Sequence, residues 1–346
     1  MTTMAAGPAA LDRARRQVEP ALRTAVDRLD PGNQAITAYH LGWTEADGTA
    51  RTASGGKAVR PAMALLAAEA VGGDPHTGLP AAVAVELVHN FSLIHDDLMD
   101  GDRERRHRPT VWALWGIPAA VLAGDALLAL AQEVLLDAGP AGPQAAALLN
   151  RAVAELIRGQ TEDLAFETRS WVGLDECRRM AAGKTGALLA ASAATGARLA
   201  EAEPAVVTAL SRYGEHVGMA FQLVDDMLGI WGDPALTGKP VLSDLRARKK
   251  TLPVTYVLGR ADADADALAT WLTEPGDATT GDKTETEADL HRIAALIERA
   301  GGRAWALAEA EREVELAVTA VESVPLSEPA RAELIGLTRY LTRREA

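Results

Sequence analysis

Two short acidic clusters are the residues best suited to chemistry in this chain. DDLMD occupies 96–100 and DDMLG occupies 225–229, each at the end of an apolar stretch with helical periodicity. Residues four apart on a helix share a face, so the carboxylates of Asp96 and Asp100 repel each other. A cation between them removes that repulsion. Mg2+ is the expected ion because it takes hard oxygen ligands and combines one or two carboxylates with water and phosphate oxygens.

Basic residues follow both clusters. Arg105 and Arg106 come after the first, and Lys239, Lys249 and Lys250 come after the second. Arg binds phosphate oxygens two at a time through its planar guanidinium group, whereas Lys supplies a compact point charge. Carboxylates and cations at two distant places in the sequence therefore predict a magnesium–diphosphate site.

The composition predicts a helical protein. Of its 346 residues, 48% are hydrophobic but only 4% are aromatic, and Ala and Leu are frequent. Such a chain favours helices packed closely through small side chains. The net charge of −13 argues against a nucleic-acid-binding surface, which needs a basic face. The single cysteine, Cys177, excludes an internal disulfide framework and fits a reducing cytoplasm.

Helical periodicity places the acidic clusters at helix ends. The longest predicted helix runs from Leu79 to about Met99 and carries Glu86, His89 and Asp96. Further helices are predicted near 11–29, 60–71, 119–137, 143–168, 174–199, 204–231, 250–259, 288–300 and 302–321. We expect one all-helical domain over 1–346, with 1–10 frayed and 262–287 a flexible acidic insertion. No strand pattern is evident. No signal peptide and no uninterrupted apolar run of bilayer length are evident either, so we expect a cytoplasmic protein without a membrane span.

Further motifs accompany the acidic clusters in a fixed order. They are GGKAVRP at 55–61, ELVHNFSLIH at 86–95, RRHRPT at 105–110, GKTG at 183–186, FQLV at 221–224, GKP at 238–240 and SDL at 243–245. Together they resemble the trans-isoprenyl diphosphate synthase family, and most closely its bacterial geranylgeranyl diphosphate synthases. The resemblance implies an all-α isoprenoid synthase fold of about ten helices around a central cavity. It also implies a homodimer that uses Mg2+, or Mn2+, to condense isopentenyl diphosphate with an allylic diphosphate.

The resemblance assigns roles to residues of this chain. The implied metal ligands and neighbouring carboxylates are Asp96, Asp97, Asp100, Asp225 and Asp226. The implied allylic diphosphate contacts are Arg105, Lys184, Lys239 and, as a further candidate, Lys249. The implied isopentenyl diphosphate contacts are Lys57, Arg60, His89 and Arg106. Thr185 and Gln222 are expected to place polar oxygens near an allylic cation.

This chain departs from the family pattern in its second cluster. Family members usually carry a third aspartate where this chain has Gly229, and usually carry Gly where it has Arg248. Asp233 restores a carboxylate two turns after Asp225, but about 12 Å along a helix separates them, too far to share a metal ion. We therefore interpret Asp233 as a turn residue before Pro234, and expect Gly229→Asp to be tolerated.

Product length depends on the residues that precede the first cluster. Ser92 lies one helical turn before Asp96, with Phe91 beside it and Val88 a turn deeper, so these three should line the growing chain. A bulky residue at 91 and a small one at 92 resemble synthases that stop at geranylgeranyl diphosphate, with farnesyl diphosphate the nearest rival product.

Two other functions remain open. A class I terpene cyclase would carry an aspartate-rich cluster, but it would not need residues for a second diphosphate and would favour an aromatic-lined cavity. A non-catalytic regulatory subunit of a prenyl synthase would be expected to have lost aspartates of the first cluster, which are intact here.

Overall fold

The computed structural model describes residues 9–51, 56, 58–74, 76–233, 241–273 and 286–342. The predicted all-α class is confirmed. The helices are α1 (Ala9–Val26), α2 (Pro31–His40), α3 (Val59–Ala70), α4 (Leu79–Met99), α5 (Val111–Trp115), α6 (Ile117–Leu136), α7 (Gly142–Thr168), α8 (Leu174–Ala181), α9 (Ala187–Leu199), α10 (Pro204–Trp231), α11 (Ser243–Arg246), α12 (Leu252–Leu258), α13 (Ala263–Thr273), α14 (Glu287–Arg299), α15 (Gly302–Glu322) and α16 (Glu328–Thr342). A π-helical turn, Ala182–Gly186, joins α8 to α9.

A small hairpin follows α4, although the sequence showed no strand pattern. Strands β1 (Glu104–Arg105) and β2 (Arg108–Pro109) are antiparallel, with Arg105 opposite Arg108. The two loop residues, Arg106 and His107, have φ of 53° and 61°, as a type I′ turn requires. Two-residue strands are too short for an alternating pattern to reveal them.

The chain forms two compact units, which we describe separately. Among the described residues, the first comprises 9–153, 188–214 and 319–337. Its helices approach closely, as the Ala-rich composition predicted. A Cβ atom on Gly196 of α9 would lie 2.0 Å from the carbonyl oxygen of Ala64 on α3. Helix α4 is buried along most of its length against α3 and α6, which fixes the acidic cluster at its carboxyl end.

The second unit comprises 154–187, 215–318 and 338–342 of the described chain. One apolar cluster gathers around Leu223 and Met227 of α10. Another contains Ile230, Leu245 and Trp271, and packs α10, α11, α13 and α14 together. The predicted single domain over 1–346 stays a prediction.

Two predictions about flexible segments need correction. The expected flexible insertion at 262–287 is wrong for Ala263–Thr273, which forms α13 because Leu268, Trp271 and Leu272 are buried in the core. Residues 274–285 lie outside the described part of the chain. The prediction that residues 1–10 are frayed is wrong for the last two of them, since α1 begins at Ala9 and Ala10 is buried.

Helix α6 is the one described helix that is long and apolar enough to cross a membrane. Asp125, Gln132 and Glu133 interrupt its apolar run, so this helix does not contradict the expectation that no uninterrupted run reaches bilayer length. In addition, 44% of the apolar stretch is buried, and α6 packs along α4 as a core helix does. Its length and composition alone do not make it a membrane span.

A buried carboxylate links three helices of the second unit. The side chain of Glu313, on α15, is 4% exposed. It accepts hydrogen bonds from Arg178 of α8 at 3.1 Å and from Arg312 at 3.0 Å, and lies 2.6 Å from Nδ1 of His216 on α10. Removing one partner of a buried charge pair leaves the other charges uncompensated.

We expect Glu313→Ala to lower the free energy of unfolding by about 3 kcal/mol, because Arg178 and His216 would lose their buried partner. Denaturant unfolding followed by circular dichroism measures the change. The control is Glu311→Ala at an exposed position of the same helix, expected to cost less than about 0.5 kcal/mol. Equal effects of the two substitutions would contradict the role given to Glu313.

Candidate active site

The first acidic cluster ends α4. Asp96 is half-buried in the last turn, and Asp100 is the exposed C-cap residue. The carboxyl end of a helix carries partial negative charge from its last carbonyl groups, so carboxylates are unfavourable there. A buried helix that ends in them is therefore suited to holding a cation.

Asp97 and Arg105 form a close pair between α4 and β1. Nε of Arg105 donates to Oδ1 of Asp97 at 2.7 Å, and the Asp97 side chain is only 2% exposed. Burial raises the pKa of Asp97 to about 6, although the charge of Arg105 opposes this. Asp97 thus fixes the guanidinium group predicted to bind the allylic diphosphate.

Cationic and polar residues of α3, α4 and the hairpin gather near this pair. Burial lowers the pKa of Arg60 and raises that of Glu86, and each residue's charge opposes the shift in the other. Burial, followed by the charges of Arg60 and Arg106, holds the pKa of His89 well below its usual value. The predicted set Arg60, His89 and Arg106 is therefore brought together by the fold.

Arg106 also lies against the glycine-rich loop. A Cβ atom on Gly56 would be 3.2 Å from Nη2 of Arg106, so glycine at this position lets the guanidinium group come close. The neighbouring Lys57, the fourth residue of the predicted set, lies outside the described residues.

A cavity of about 240 Å3 opens beside these residues. Its lining includes Arg51, Arg105 and Arg106 together with His40 and Asn90. Burial, followed by the charges of Arg105 and Arg106, lowers the pKa of His40 to about 3, so this ring is neutral at pH 7. Sequence reasoning missed His40 and Asn90. A helix-terminal histidine offered no signal, but Asn90 is a polar residue in an otherwise apolar helical stretch.

Arg108 makes structural contacts with α2 and with the residues that follow it. Its Nη1 donates to the carbonyl oxygen of Tyr39 at 2.9 Å and its Nη2 to that of Thr44 at 2.8 Å. The guanidinium carbon lies 4.0 Å from the centre of the Tyr39 ring. These contacts fix the hairpin that carries Arg105 and Arg106.

The second acidic cluster contains two aspartates with different surroundings. Asp225 is partly exposed on α10, whereas Asp226 is buried. Nε2 of Gln222 donates to Oδ1 of Asp226 at 2.7 Å, and the backbone NH of Leu252 donates to Oδ2 at 2.8 Å. Burial raises the pKa of Asp226 to about 7, and the charges of Asp244 and Asp225 add to the increase. Asp226 therefore joins α10 to the start of α12 and leaves Asp225 to act on a ligand.

Thr185 and Gln222, which the resemblance assigns to the surroundings of an allylic cation, contact each other. Oγ1 of Thr185 donates to Oε1 of Gln222 at 2.6 Å. Thr185 is in the π-helical turn, a feature that is frequent at functional sites. The two residues and Asp226 form one hydrogen-bonded chain.

The same turn carries Lys184 against α7. A Cβ atom on Gly159 would lie 2.3 Å from the backbone nitrogen of Lys184, and one on Gly183 would lie 2.7 Å from the carbonyl oxygen of Glu155. Both glycines are therefore needed for this close approach. Nζ of Lys184 donates to Asp163. Sequence reasoning missed Asp163, although a Gly followed by polar residues inside a long helical stretch was a usable signal.

The basic segment before α12 divides into different roles. Lys249 is exposed, as a ligand-binding residue should be. Lys250 is buried, with Nζ donating to the carbonyl oxygen of Glu167 at 3.2 Å. Its carbonyl oxygen accepts from Sγ of Cys177, whose pKa is raised by burial, so the cysteine has a packing role. The predicted Lys239 lies outside the described residues.

The backbone conformation at Arg248 explains why family members usually carry glycine at this position. Its φ is 51°, in the left-handed region that favours glycine. Nη1 donates to the carbonyl oxygen of Trp271 at 3.0 Å, and the guanidinium carbon lies 5.1 Å from the centre of the Trp271 ring. Contacts with α13 thus hold a non-glycine residue in this conformation.

The expectation that Gly229→Asp is tolerated stays a prediction, and it requires the side chain of Asp244 to move. A Cβ atom on Gly229 would lie 2.0 Å from Oδ2 of Asp244. The added carboxylate would have to displace one that is already there, and the two would repel each other.

The carboxylates fit a metal ion that also binds substrate. Among the described residues, no three or more His, Cys, Asp or Glu side chains are grouped to hold a metal by themselves. Each cluster instead presents one or two carboxylates, the number that Mg2+ uses when phosphate oxygens and water complete its shell. Asp96 with Asp100 would hold an ion in the first unit, and Asp225 in the second.

We expect His40 to make the protein less stable in acid. Its pKa is lower in the folded state, so the unfolded chain takes up the proton first. Stability is therefore fully present above about pH 6.5 and falls as the pH drops towards 3. When the pH falls from 7.5 to 5, His40 should lower the free energy of unfolding of the wild type by about 2 kcal/mol. The His40→Gln variant should not show this contribution. Denaturant unfolding at both pH values measures this, with His76→Gln at an exposed position as control. Equal pH dependence in wild type and His40→Gln would contradict it.

Comparisons with known proteins agree with the site. The chain matches the family model Polyprenyl synthetase over residues 44–289. It is 52% identical over 337 residues to a (2E,6E)-farnesyl diphosphate synthase of Mycobacterium tuberculosis, covering 97% of this chain and 93% of that protein. It is 42% identical over 341 residues to a geranylgeranyl diphosphate synthase of the same organism, covering 98% and 94%.

Solved structures give the same result. A polyprenyl synthetase from Streptomyces coelicolor A3(2) has a TM-score of 0.92 and 48% identity, covering 96% of this chain and 98% of that one. A geranylgeranyl pyrophosphate synthase from Corynebacterium glutamicum, complexed with isoprenyl diphosphate and magnesium, has a TM-score of 0.77 and 26% identity, covering 97% and 98%. The chain is thus a member of the polyprenyl synthetase family, the metal-dependent transferases that make trans-prenyl diphosphates.

Proposed function

We propose that this prenyl synthase condenses isopentenyl diphosphate with an allylic diphosphate to make geranylgeranyl diphosphate. The observation that carries the proposal is the gathering of Arg60, His89 and Arg106 beside the Asp97–Arg105 pair. Arg60, His89 and Arg106 suit the diphosphate of isopentenyl diphosphate, which remains bonded to its carbon chain. Arg105 suits the diphosphate of the allylic substrate, which leaves. A terpene cyclase needs only one diphosphate-binding set, and the relatives named above are prenyl diphosphate synthases.

The chemistry follows from these contacts. Bound Mg2+ would stabilise the negative charge that develops on the allylic diphosphate as its carbon–oxygen bond breaks. Arg105 would hold oxygens of the departing diphosphate. The double bond of isopentenyl diphosphate would then attack the allylic carbon, and the released diphosphate would take up the proton whose loss forms the new double bond. Thr185 and Gln222 would place their oxygens near the allylic cation.

Phe91 supports a limit on product length. Its buried ring packs edge-to-face on His95, with ring centres 4.9 Å apart and an interplanar angle of 72°. Nε2 of His95 lies 3.1 Å from the carbonyl oxygen of Val121, and a Cβ atom on Gly124 would lie 2.1 Å from it. A ring held this firmly would act as a floor rather than swing aside.

Ser92 and Val88 are buried on the same helix. A small residue at 92 above the Phe91 floor favours geranylgeranyl over farnesyl diphosphate. The relatives include synthases of both products, so the choice between them stays a proposal.

A homodimer in the cytoplasm stays part of the proposal. Exposed apolar side chains follow one another along the α5–α6 segment, among them Trp115, Ile117, Val121 and Leu122. Contiguous apolar surface of this kind is common at subunit interfaces. A second copy of the chain would remove it from water.

We expect Asp96→Ala and Asp225→Ala each to lower kcat by about a thousandfold or more while the fold persists, because a metal ligand acts mainly in the transition state. Removal of Mg2+ with EDTA should abolish turnover, and added Mn2+ should restore it. Initial rates with radiolabelled isopentenyl diphosphate measure both effects. Asp102→Asn, at an exposed residue after the first cluster, is the control and should stay within about threefold of wild type. Turnover that survives chelation, or near-normal rates in either alanine variant, would exclude this metal mechanism.

We expect Phe91→Ala to lengthen the product by at least one isoprene unit, because removing the ring opens volume below the first cluster. Phe91→Trp should shift the distribution towards shorter products. Mass spectrometry of the dephosphorylated products measures both, and melting temperatures confirm folding. An unchanged distribution in both folded variants would place the floor elsewhere.

A further inference from the structure

The carboxylate of Asp244 occupies the space where a side chain at Gly229 would begin. A Cβ atom on Gly229 would lie 2.0 Å from Oδ2, 2.4 Å from Cγ and 2.9 Å from Oδ1 of Asp244. Non-bonded atoms do not approach so closely in a packed protein. The space that a side chain at 229 would need is therefore filled by the end of another acidic side chain.

Buried leucines hold the segment that carries Asp244. Leu242 and Leu245 are buried on either side of it, in the apolar cluster that includes Ile230 of α10. Leu242 has a φ of 61°, a conformation that leucine adopts only when its surroundings impose it. Core packing thus fixes the backbone that carries this carboxylate.

Polar contacts complete this arrangement. Oγ of Ser243 donates to the carbonyl oxygen of Gly229 at 3.4 Å, and the backbone NH of Lys249 donates to the carbonyl oxygen of Asp244 at 2.9 Å. The segment therefore lies directly against the turn of α10 that follows Asp225.

The position of this carboxylate reproduces the spacing of the first cluster. Residues 225 and 229 are four apart on α10, so their side-chain positions share a face and are about 5–6 Å apart. Asp96 and Asp100 have the same spacing on α4. A carboxylate at the Cβ position of Gly229 consequently stands one turn from Asp225, where the usual third aspartate would stand.

Other acidic residues are less suitable partners for Asp225. Both oxygens of Asp226 accept hydrogen bonds, from Gln222 and from the backbone of Leu252. Asp233 is exposed beyond the end of α10, two turns away. Asp244 comes from a different segment, so no pattern along the helix could reveal it.

We propose that Asp244 binds, together with Asp225, the divalent cation of the second cluster, which lacks a carboxylate of its own at Gly229. This inference rests on the proposed function, because it assigns one more residue to the same metal-dependent reaction. Mg2+ is bound in this way by two carboxylates, with the remaining positions taken by water and phosphate oxygens.

The test moves the carboxylate from one segment to the other. Asp244→Asn keeps the shape and removes the charge, whereas Asp244→Ala removes the side chain and clears the space beside Gly229. The double variant Gly229→Asp with Asp244→Ala returns the carboxylate to the helix. Gly229→Asp alone forces two carboxylates into one place.

Metal binding, not only turnover, is the readout. Mn2+ is titrated into each variant with saturating inorganic diphosphate, and free Mn2+ is measured by its electron paramagnetic resonance signal. Asp244→Asn and Asp244→Ala should weaken Mn2+ binding about tenfold or more. The double variant should recover to within about threefold of wild type, and Gly229→Asp alone should bind weakly. Melting temperatures confirm that each variant folds.

Asp233→Asn is the matched control and should bind Mn2+ within about twofold of wild type. Unchanged binding in folded Asp244→Asn would overturn the proposal, as would failure of a folded double variant to recover. If wild type neither binds Mn2+ with diphosphate nor elongates an allylic substrate, the proposed function itself fails. If wild type does both and Asp244→Asn is normal, only the role of Asp244 fails.

Discussion

Negative charge at the carboxyl end of the buried helix α4 is the constraint on which the first unit depends. The last carbonyl groups of the helix already carry partial negative charge, and Asp96, Asp97 and Asp100 add to it. Arg105 compensates one carboxylate directly. A cation bound beside Asp96 and Asp100 would reduce the remaining repulsion, so apolar packing along α4 places a candidate metal-binding site at its end. The hairpin is held by Arg108 on Tyr39 and Thr44, so it can present Arg105 and Arg106 without moving.

The second unit depends on a different constraint, which is that backbones must come close together for its polar side chains to align. Gly159 and Gly183 let the π-helical turn lie on α7, and this places Lys184 and Thr185. Asp226 then ties α10 to the start of α12 through the backbone of Leu252. Asp226 is buried and holds these helices together, whereas its neighbour Asp225 is partly exposed and can reach a ligand. Gly229 likewise permits a close approach, because the absence of a side chain leaves room for the carboxylate of Asp244.

The sequence predicted what short-range periodicity and motifs can encode. The all-α class and helix α4 with its acidic end follow from composition and spacing along the chain, whereas the roles of Thr185 and Gln222 follow only from the resemblance. Contacts between distant segments could not be predicted in this way. His40 reaches the cationic cavity only through the fold, and α13 was missed because its few apolar residues lie in an acidic stretch. The expectation for Gly229 considered only its own helix, whereas the occupant of that space lies fifteen residues later in the sequence.

The most direct test of this account is the product that the purified protein makes. Incubation with isopentenyl diphosphate, Mg2+ and each allylic primer in turn, followed by dephosphorylation and mass spectrometry, identifies that product. The account predicts linear trans-prenyl alcohols that grow by isoprene units and end at geranylgeraniol, with none formed when Mg2+ is omitted. A cyclic hydrocarbon made from the allylic diphosphate alone, or elongation that does not need a divalent metal, would contradict it.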